Sequence, residues 1–107
     1  MLPKNKRVTK ELFQKIIKTG GSLSGLFFIF RYINSNAPRY AFVVPKSVAK
    51  KAVDRNKLRR IGYRTMFPYL SKNISGIFFY KKSGKQASFQ EIKSDIENLF
   101  KKLKWIQ

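Results

Sequence analysis

The apolar residues of this chain change their spacing several times, and each change marks an element. From Thr9 onward, Leu12, Phe13, Ile16 and Ile17 recur at helical intervals. That predicts a short helix with Thr9 as its N-cap and Gly20-Gly21 as a left-handed C-cap. Leu26 to Ile33 is dense in aromatic and β-branched residues and reads as a strand. The cluster Asn34-Ser-Asn-Ala-Pro38 reads as a turn into a second strand, Arg39 to Val44, and the two are expected to pair as an antiparallel hairpin. Alternation along the first strand puts Phe28, Phe30 and Tyr32 on one face and Phe27, Ile29, Arg31 and Ile33 on the other.

Pro45 closes the second strand, and the helix that follows should run to about Phe67, where Pro68 stops it. Ser47 or Asp54 could cap that helix, with Asp54 the favoured start. At about 100° per residue, Leu58, Ile61, Gly62 and Thr65 share one side, while Arg55, Asn56, Arg59, Arg60, Tyr63 and Arg64 share the other. Ile74 to Tyr80 reads as a third strand, followed by the loop Lys81-Lys-Ser-Gly-Lys85. Ser88-Phe-Gln-Glu91 is a capping box, and Phe89, Ile92, Ile96, Leu99, Phe100 and Leu103 continue from it as the apolar stripe of a core-facing helix.

At 107 residues the chain is read as one small domain spanning 1–107, without repeat or linker. A hydrophobic share of 43%, with 10 Phe and 5 Tyr, sets it apart from a disordered basic tail. Its charge changes the picture most: 24 Lys and Arg against 5 Asp and Glu leave a net +19. Such a chain repels itself unless a polyanion neutralises it, which makes nucleic acid the leading class of partner. Glu11 and Asp54 stand alone among the cations, while Glu91, Asp95 and Glu97 are read as lying on the exposed side of the last helix.

Lys46, Lys50, Lys51, Arg55, Lys57, Arg59, Arg60 and Arg64 crowd around the single acid Asp54. A merely solvated helix face mixes both signs in i,i+4 pairs. Here no acid follows Asp54 on the helix to supply them. The Lys81–Lys85 loop is a further phosphate-facing segment.

The same composition excludes other chemistry. Without His and with five acids, the chain lacks the converging ligands of a metal-dependent nuclease. Glu91 and Asp95, four residues apart, could meet an ion, but they read as a surface pair near a helix start. No catalytic residue and no metal ligand is assigned. The absence of Cys fits a reducing cytoplasm. The first residues carry no apolar run of signal-peptide length, so no export is expected. The stretch Leu26 to Phe30 is far short of the roughly 20 residues of a membrane span. The basic helix also lacks the bulky apolar face that membrane-surface binding needs.

Asp54-Arg-Asn-Lys-Leu-Arg-Arg60, preceded by Val43-Val-Pro-Lys46, resembles the arginine-asparagine signature of the bacterial ribonuclease P protein subunit. Leu2-Pro-Lys4, Arg7-Val8, Phe13 and Gly20 are similar to that family's N-terminal pattern, and the order of elements extends the resemblance over the whole chain. The resemblance implies an α+β fold: a compact two-layer α/β sandwich, its sheet mainly antiparallel, with a left-handed βαβ crossover against the general preference. It also implies a ribonucleoprotein endonuclease whose RNA is the catalyst and holds the magnesium ions. One protein subunit per catalytic RNA would bind that ribonuclease P RNA and the 5′ leader of precursor tRNA in the cytoplasm.

Carried over by position, Lys46, Lys50, Lys51, Arg55, Asn56, Lys57, Arg59, Arg60 and Arg64 would meet the RNA, and Phe13, Ile17 and Arg31 would line the leader cleft. The arginines can grip phosphates bidentately, and Asn56 can both donate and accept, or else bond its own backbone. Phe13 could stack on a base or simply pack in the core. Three departures from the family pattern stand out: Ser47 where a second Lys is common, Tyr63 where an Arg often follows, and Ile17 where some members carry a second aromatic. Two readings from other classes compete: a structural RNA-binding protein such as a ribosomal protein, on charge alone, and a stand-alone nuclease.

Overall fold

The computed structural model describes residues 7–36, 38–69 and 73–106. Leu2-Pro-Lys4, and Ala37 of the predicted turn, lie outside the described residues. In chain order the elements are α1 (Lys10–Thr19), β1 (Gly21–Ser24), β2 (Phe28–Asn34), β3 (Tyr40–Val43), α2 (Ala52–Met66), β4 (Ile74–Tyr80) and α3 (Phe89–Ile106). Short 3-10 turns follow α2 at Phe67–Tyr69 and β4 at Lys82–Gly84. The result is a mixed α+β fold of three helices and one four-stranded sheet.

The predicted α1 is present, with the Thr9 hydroxyl accepting from the Leu12 N–H at 3.2 Å. Its end differs from expectation. Gly20 is extended, at φ −76° and ψ 160°, and no described residue has a positive φ. Glycine is required there by proximity: a Cβ would sit 2.4 Å from the Ile16 carbonyl oxygen and 2.7 Å from that of Tyr32. That close approach folds the chain straight from α1 into β1. This edge strand, Gly-Ser-Leu-Ser, is too short and polar to be legible in the sequence.

The sheet order is β1-β2-β4-β3, so the expected β2–β3 hairpin does not form. All seven residues of β4 pair antiparallel with β2, while β3 pairs parallel with the other edge of β4. The reason lies in burial: every residue of β4 is buried except the half-buried Phe79, and a strand apolar on both faces belongs at the centre of a sheet. Proximity in sequence favoured β3 as the partner of β2, and the demand to cover β4 overrode it.

One face of the sheet carries the main core. The Phe30 and Phe78 rings stack at 4.2 Å and 11°, and those of Phe78 and Phe42 at 4.7 Å and 9°, making a ladder across β2, β4 and β3. Phe100 of α3 closes on Phe30 at 5.6 Å and Tyr63 of α2 on Phe42 at 5.1 Å, so both helices seal this face. Tyr63 therefore belongs to the packing side of α2, contrary to its place on the helical wheel. Burial holds the Tyr40 and Tyr80 hydroxyls well above the ordinary tyrosine pKa, and Tyr80 donates to the Leu58 carbonyl of α2 at 2.6 Å. α1 lies on the reverse face, with Phe13 edge-on to Phe79 at 6.2 Å.

Neither Ser47 nor Asp54 caps α2. Ser47 lies in the turn before it, the cap position is Lys51 without a side-chain bond, and Asp54 stands inside the first turn. The capping box of α3 is formed as predicted, with Ser88 N–H to Glu91 Oε1 at 2.9 Å and Glu91 N–H to Ser88 Oγ at 3.1 Å. Ile92, Ile96, Leu99, Phe100 and Leu103 are buried, while Phe89 is only partly covered, at 38% exposure.

Asp95 corrects the sequence reading: it is buried, at 3% exposure, not on the open side of α3. Its carboxylate accepts from the Leu26 and Phe27 N–H groups at 2.8 and 2.9 Å. These two residues are thereby held in the β1–β2 turn, which is why β2 starts at Phe28 and not at Leu26. Gly25 makes room for the arrangement, since a Cβ there would fall 2.6 Å from Asp95 Oδ1.

Two stability predictions follow from these contacts. Helix propensity alone would let Gly62→Ala stabilise α2 by up to about 1 kcal/mol. The added Cβ would meet the Phe42 ring at 2.5 Å, so overpacking of about 1–3 kcal/mol should win and lower the urea midpoint. Asp95→Asn presents an amide N–H to a backbone donor and should cost about 1–3 kcal/mol in the same denaturation experiment.

Candidate nucleic-acid interface

The turn that leaves β3 is set by Pro45, whose carbonyl accepts from Val48 and Ala49 at 2.9 and 3.2 Å. It buries Val48 and Ala49 while leaving Lys46, Lys50 and Lys51 exposed. α2 then docks through Leu58, Gly62, Thr65 and Met66, all buried. Asn56, Lys57, Arg60 and Arg64 point to solvent, and Arg55 and Arg59 are half-buried at the flanks. Seven of the nine predicted RNA-facing residues are thus fully on the surface, on one continuous turn-and-helix segment.

The two flanking arginines do different work. Arg55 Nη1 donates to the Ala49 carbonyl at 3.1 Å and the Lys50 carbonyl at 2.6 Å, tying the turn to the helix. Arg59 Nη1 donates to Asn56 Oδ1, so the amide of Asn56 orients a guanidinium in this structure and does not bond its own backbone. The departure at position 63 also has a cause: Tyr63 fills the packing side beside Phe42, and Arg64 takes the exposed position.

Phe13, Ile17 and Arg31 are brought together elsewhere, under and beside α1 on the reverse face. Phe13 is half-buried against Phe79, and Ile17 is 38% exposed. Arg31 Nη2 donates to the Ile17 carbonyl at 2.7 Å and the Gly20 carbonyl at 3.4 Å, which serves the last carbonyls of α1. Its Nε is buried and has no partner among the described residues.

Beside Phe13 runs a row that sequence reading missed. Ile29, Phe79 and Val43 are paired neighbours across three strands, and all are partly open, with Ile29 at 41% exposure. The period-2 alternation of β4 placed Phe79 on this face, but only the strand order set Ile29 and Val43 on either side of it. Val43 is three residues from Lys46, so the apolar strip runs into the basic turn at its β3 end.

Among the described residues, no three His, Cys, Asp or Glu side chains gather into a group that could hold a metal ion. No described helix is long and apolar enough to cross a membrane. A surface of solvent-facing guanidinium and ammonium groups next to a shallow apolar strip can bind a phosphate backbone and offer bases a dry face.

The Ribonuclease P family model matches residues 2–104. The chain belongs to that family. It is 29% identical over 106 residues to the ribonuclease P protein component of Vesicomyosocius okutanii subsp. Calyptogena okutanii (strain HA), covering 95% of this chain and 94% of that one. To the ribonuclease P protein component of Pseudanabaena sp. (strain PCC 6903) it is 26% identical, over 97% and 96% of the two chains.

Among solved structures, a Staphylococcus aureus RNase P protein mutant with defective mRNA degradation activity superposes with a TM-score of 0.82 at 25% identity, covering 94% of this chain and 90% of that one. The RNase P protein from Thermotoga maritima shares the fold, with a TM-score of 0.76 at 24% identity over 90% and 96% of the chains. Membership of the ribonuclease P family places the chain in tRNA processing, as a subunit of a ribonuclease with an RNA partner.

The geometry separates scaffold from contact within the signature. Arg55→Lys cannot reach both carbonyls and should lower stability by about 1–2 kcal/mol. Arg60→Lys, on the open face, should leave the thermal midpoint unchanged while weakening RNA binding, and thermal melts of the two variants compare them directly.

Proposed function

We propose that this chain is the protein subunit of a ribonuclease P ribonucleoprotein, in which it binds the catalytic RNA and the 5′ leader of precursor tRNA and is not catalytic alone. The observation that carries the reading is the exposed cationic face of α2, with Asn56 and Arg59 coupled, on a chain that belongs to the family. In this reading Lys46, Lys50, Lys51, Lys57, Arg60 and Arg64 hold RNA phosphates, and Arg55 and Arg59 hold them from a braced position. The strip beside Phe13 and Ile17 receives the leader, whose bases meet the Ile29, Phe79 and Val43 surface. The protein offsets phosphate repulsion between two RNAs and widens the range of substrates.

Magnesium belongs to the RNA in this proposal, and the protein contributes no step to the hydrolysis. One protein subunit serves each catalytic RNA, in the cytoplasm. The competing reading as a ribosomal protein rests on charge alone, and family membership weighs against it.

The test is precursor-tRNA cleavage at low magnesium with a bacterial ribonuclease P RNA, with and without the protein, and with protein alone. Cleavage at the mature 5′ end should require both components; activity of the protein alone, or no stimulation, would overturn the proposal. Assembly should weaken on the order of 10³- to 10⁵-fold between about 50 and 200 mM salt if six to ten phosphates are neutralised. The double variant Arg59→Ala, Arg60→Ala should bind the RNA more weakly and with a salt slope lower by about two.

A further inference from the structure

Lys57 and Lys85 are remote in sequence, yet the fold sets them on the rim of one cavity of about 310 Å³ between α2 and the Lys85–Ala87 loop. Leu58, Ile61 and Ala87 form its apolar wall, and Asp54 contributes a carboxylate. Leu58 is buried, while Ile61, Ala87 and Asp54 are half-buried, so the space is a slot with a dry side and a charged mouth.

We propose that this slot receives one unstacked nucleotide of the catalytic RNA, with guanosine preferred. The inference rests on the RNA-binding reading above and adds an occupant that the signature does not assign. Three features select it. The volume lies at the lower end of the range for small-ligand pockets, which suits a single nucleotide and not a longer stretch. Lys57 belongs both to the slot and to the cationic face of α2, so an RNA backbone on that face is already beside the mouth. Two ammonium groups at the rim outweigh the one carboxylate and match a phosphate, while the aliphatic wall covers the face of a base.

Asp54 gives the slot its selectivity, together with the Gln86 amide in the same lining, which can donate to the O6 carbonyl that guanine sets beside its two donors. A carboxylate only accepts hydrogen bonds. Guanine presents two adjacent donors, N1–H and the N2 amino group, on its Watson–Crick edge. Adenine and cytosine set an acceptor beside their amino group, and uracil flanks its one donor with carbonyls. The only acid in the basic segment from Lys46 to Arg64 thus discriminates between bases where its neighbours merely attract phosphate.

The experiment is nucleotide-resolution 2′-hydroxyl acylation of a bacterial ribonuclease P RNA, free and bound to the full chain. The wild type should protect one unpaired guanosine whose protection disappears in Ala87→Leu and in Lys85→Ala, while the rest of the footprint persists. Ala87→Leu fills the slot without removing a charge, so affinity should fall about 10-fold at an unchanged salt slope, whereas Lys85→Ala should lower the slope by about one. An unchanged footprint in both variants would overturn the slot and leave the RNA-binding reading intact. No footprint from the wild type would overturn that reading, and the slot with it. Protection of a base other than guanine would overturn the role of Asp54.

Discussion

The stack of Phe30, Phe78 and Phe42 across three strands is the interaction on which the rest of the structure depends. Rings at 4.2 and 4.7 Å demand that β4 lie between β2 and β3, in a register that sets the three residues side by side. β3 runs parallel to β4, so the connection between them must be a crossover that passes over a face of the sheet. That crossing is α2. The cationic helix is therefore presented by the same packing that fills the core.

Glycine makes the stack possible in two places. A Cβ at Gly76 would fall 2.2 Å from the Phe30 ring, and one at Gly62 would fall 2.5 Å from Phe42. The first lets Phe30 lean across β4, and the second lets α2 settle on the sheet. The helix gives up some intrinsic propensity at Gly62 in exchange for close packing. With α2 seated through Leu58, Gly62, Thr65 and Met66, the remaining arc of the helix has no apolar duty and is free to carry charge.

That arc works with a second set of contacts that hold loops in place. Asp95 fixes the β1–β2 turn through two backbone N–H groups, Arg55 braces the turn entering α2, and Arg31 serves the end of α1. Each is a charged residue that composition alone counts toward the surface field. Part of the formal charge thus serves the scaffold, and the outward-facing remainder, Lys57, Arg60 and Arg64 among it, sets the field at the surface.

Local chemistry determined what local chemistry can reach: the Thr9 cap, the Ser88–Glu91 box, the limits of β4, the apolar stripe of α3 and the cationic side of α2. These follow from side chains within one or two turns of each other, and they were legible in the sequence together with the family signature. The strand order, the burial of Asp95, the inward turn of Tyr63 and the placing of Lys57 and Lys85 on one cavity were not. Each depends on a partner remote in sequence, brought into place by the packing of the sheet and its helices. The apolar run of β4 marks it as a strand to be buried on both faces, but period and propensity do not say which strands flank it or in which direction they run.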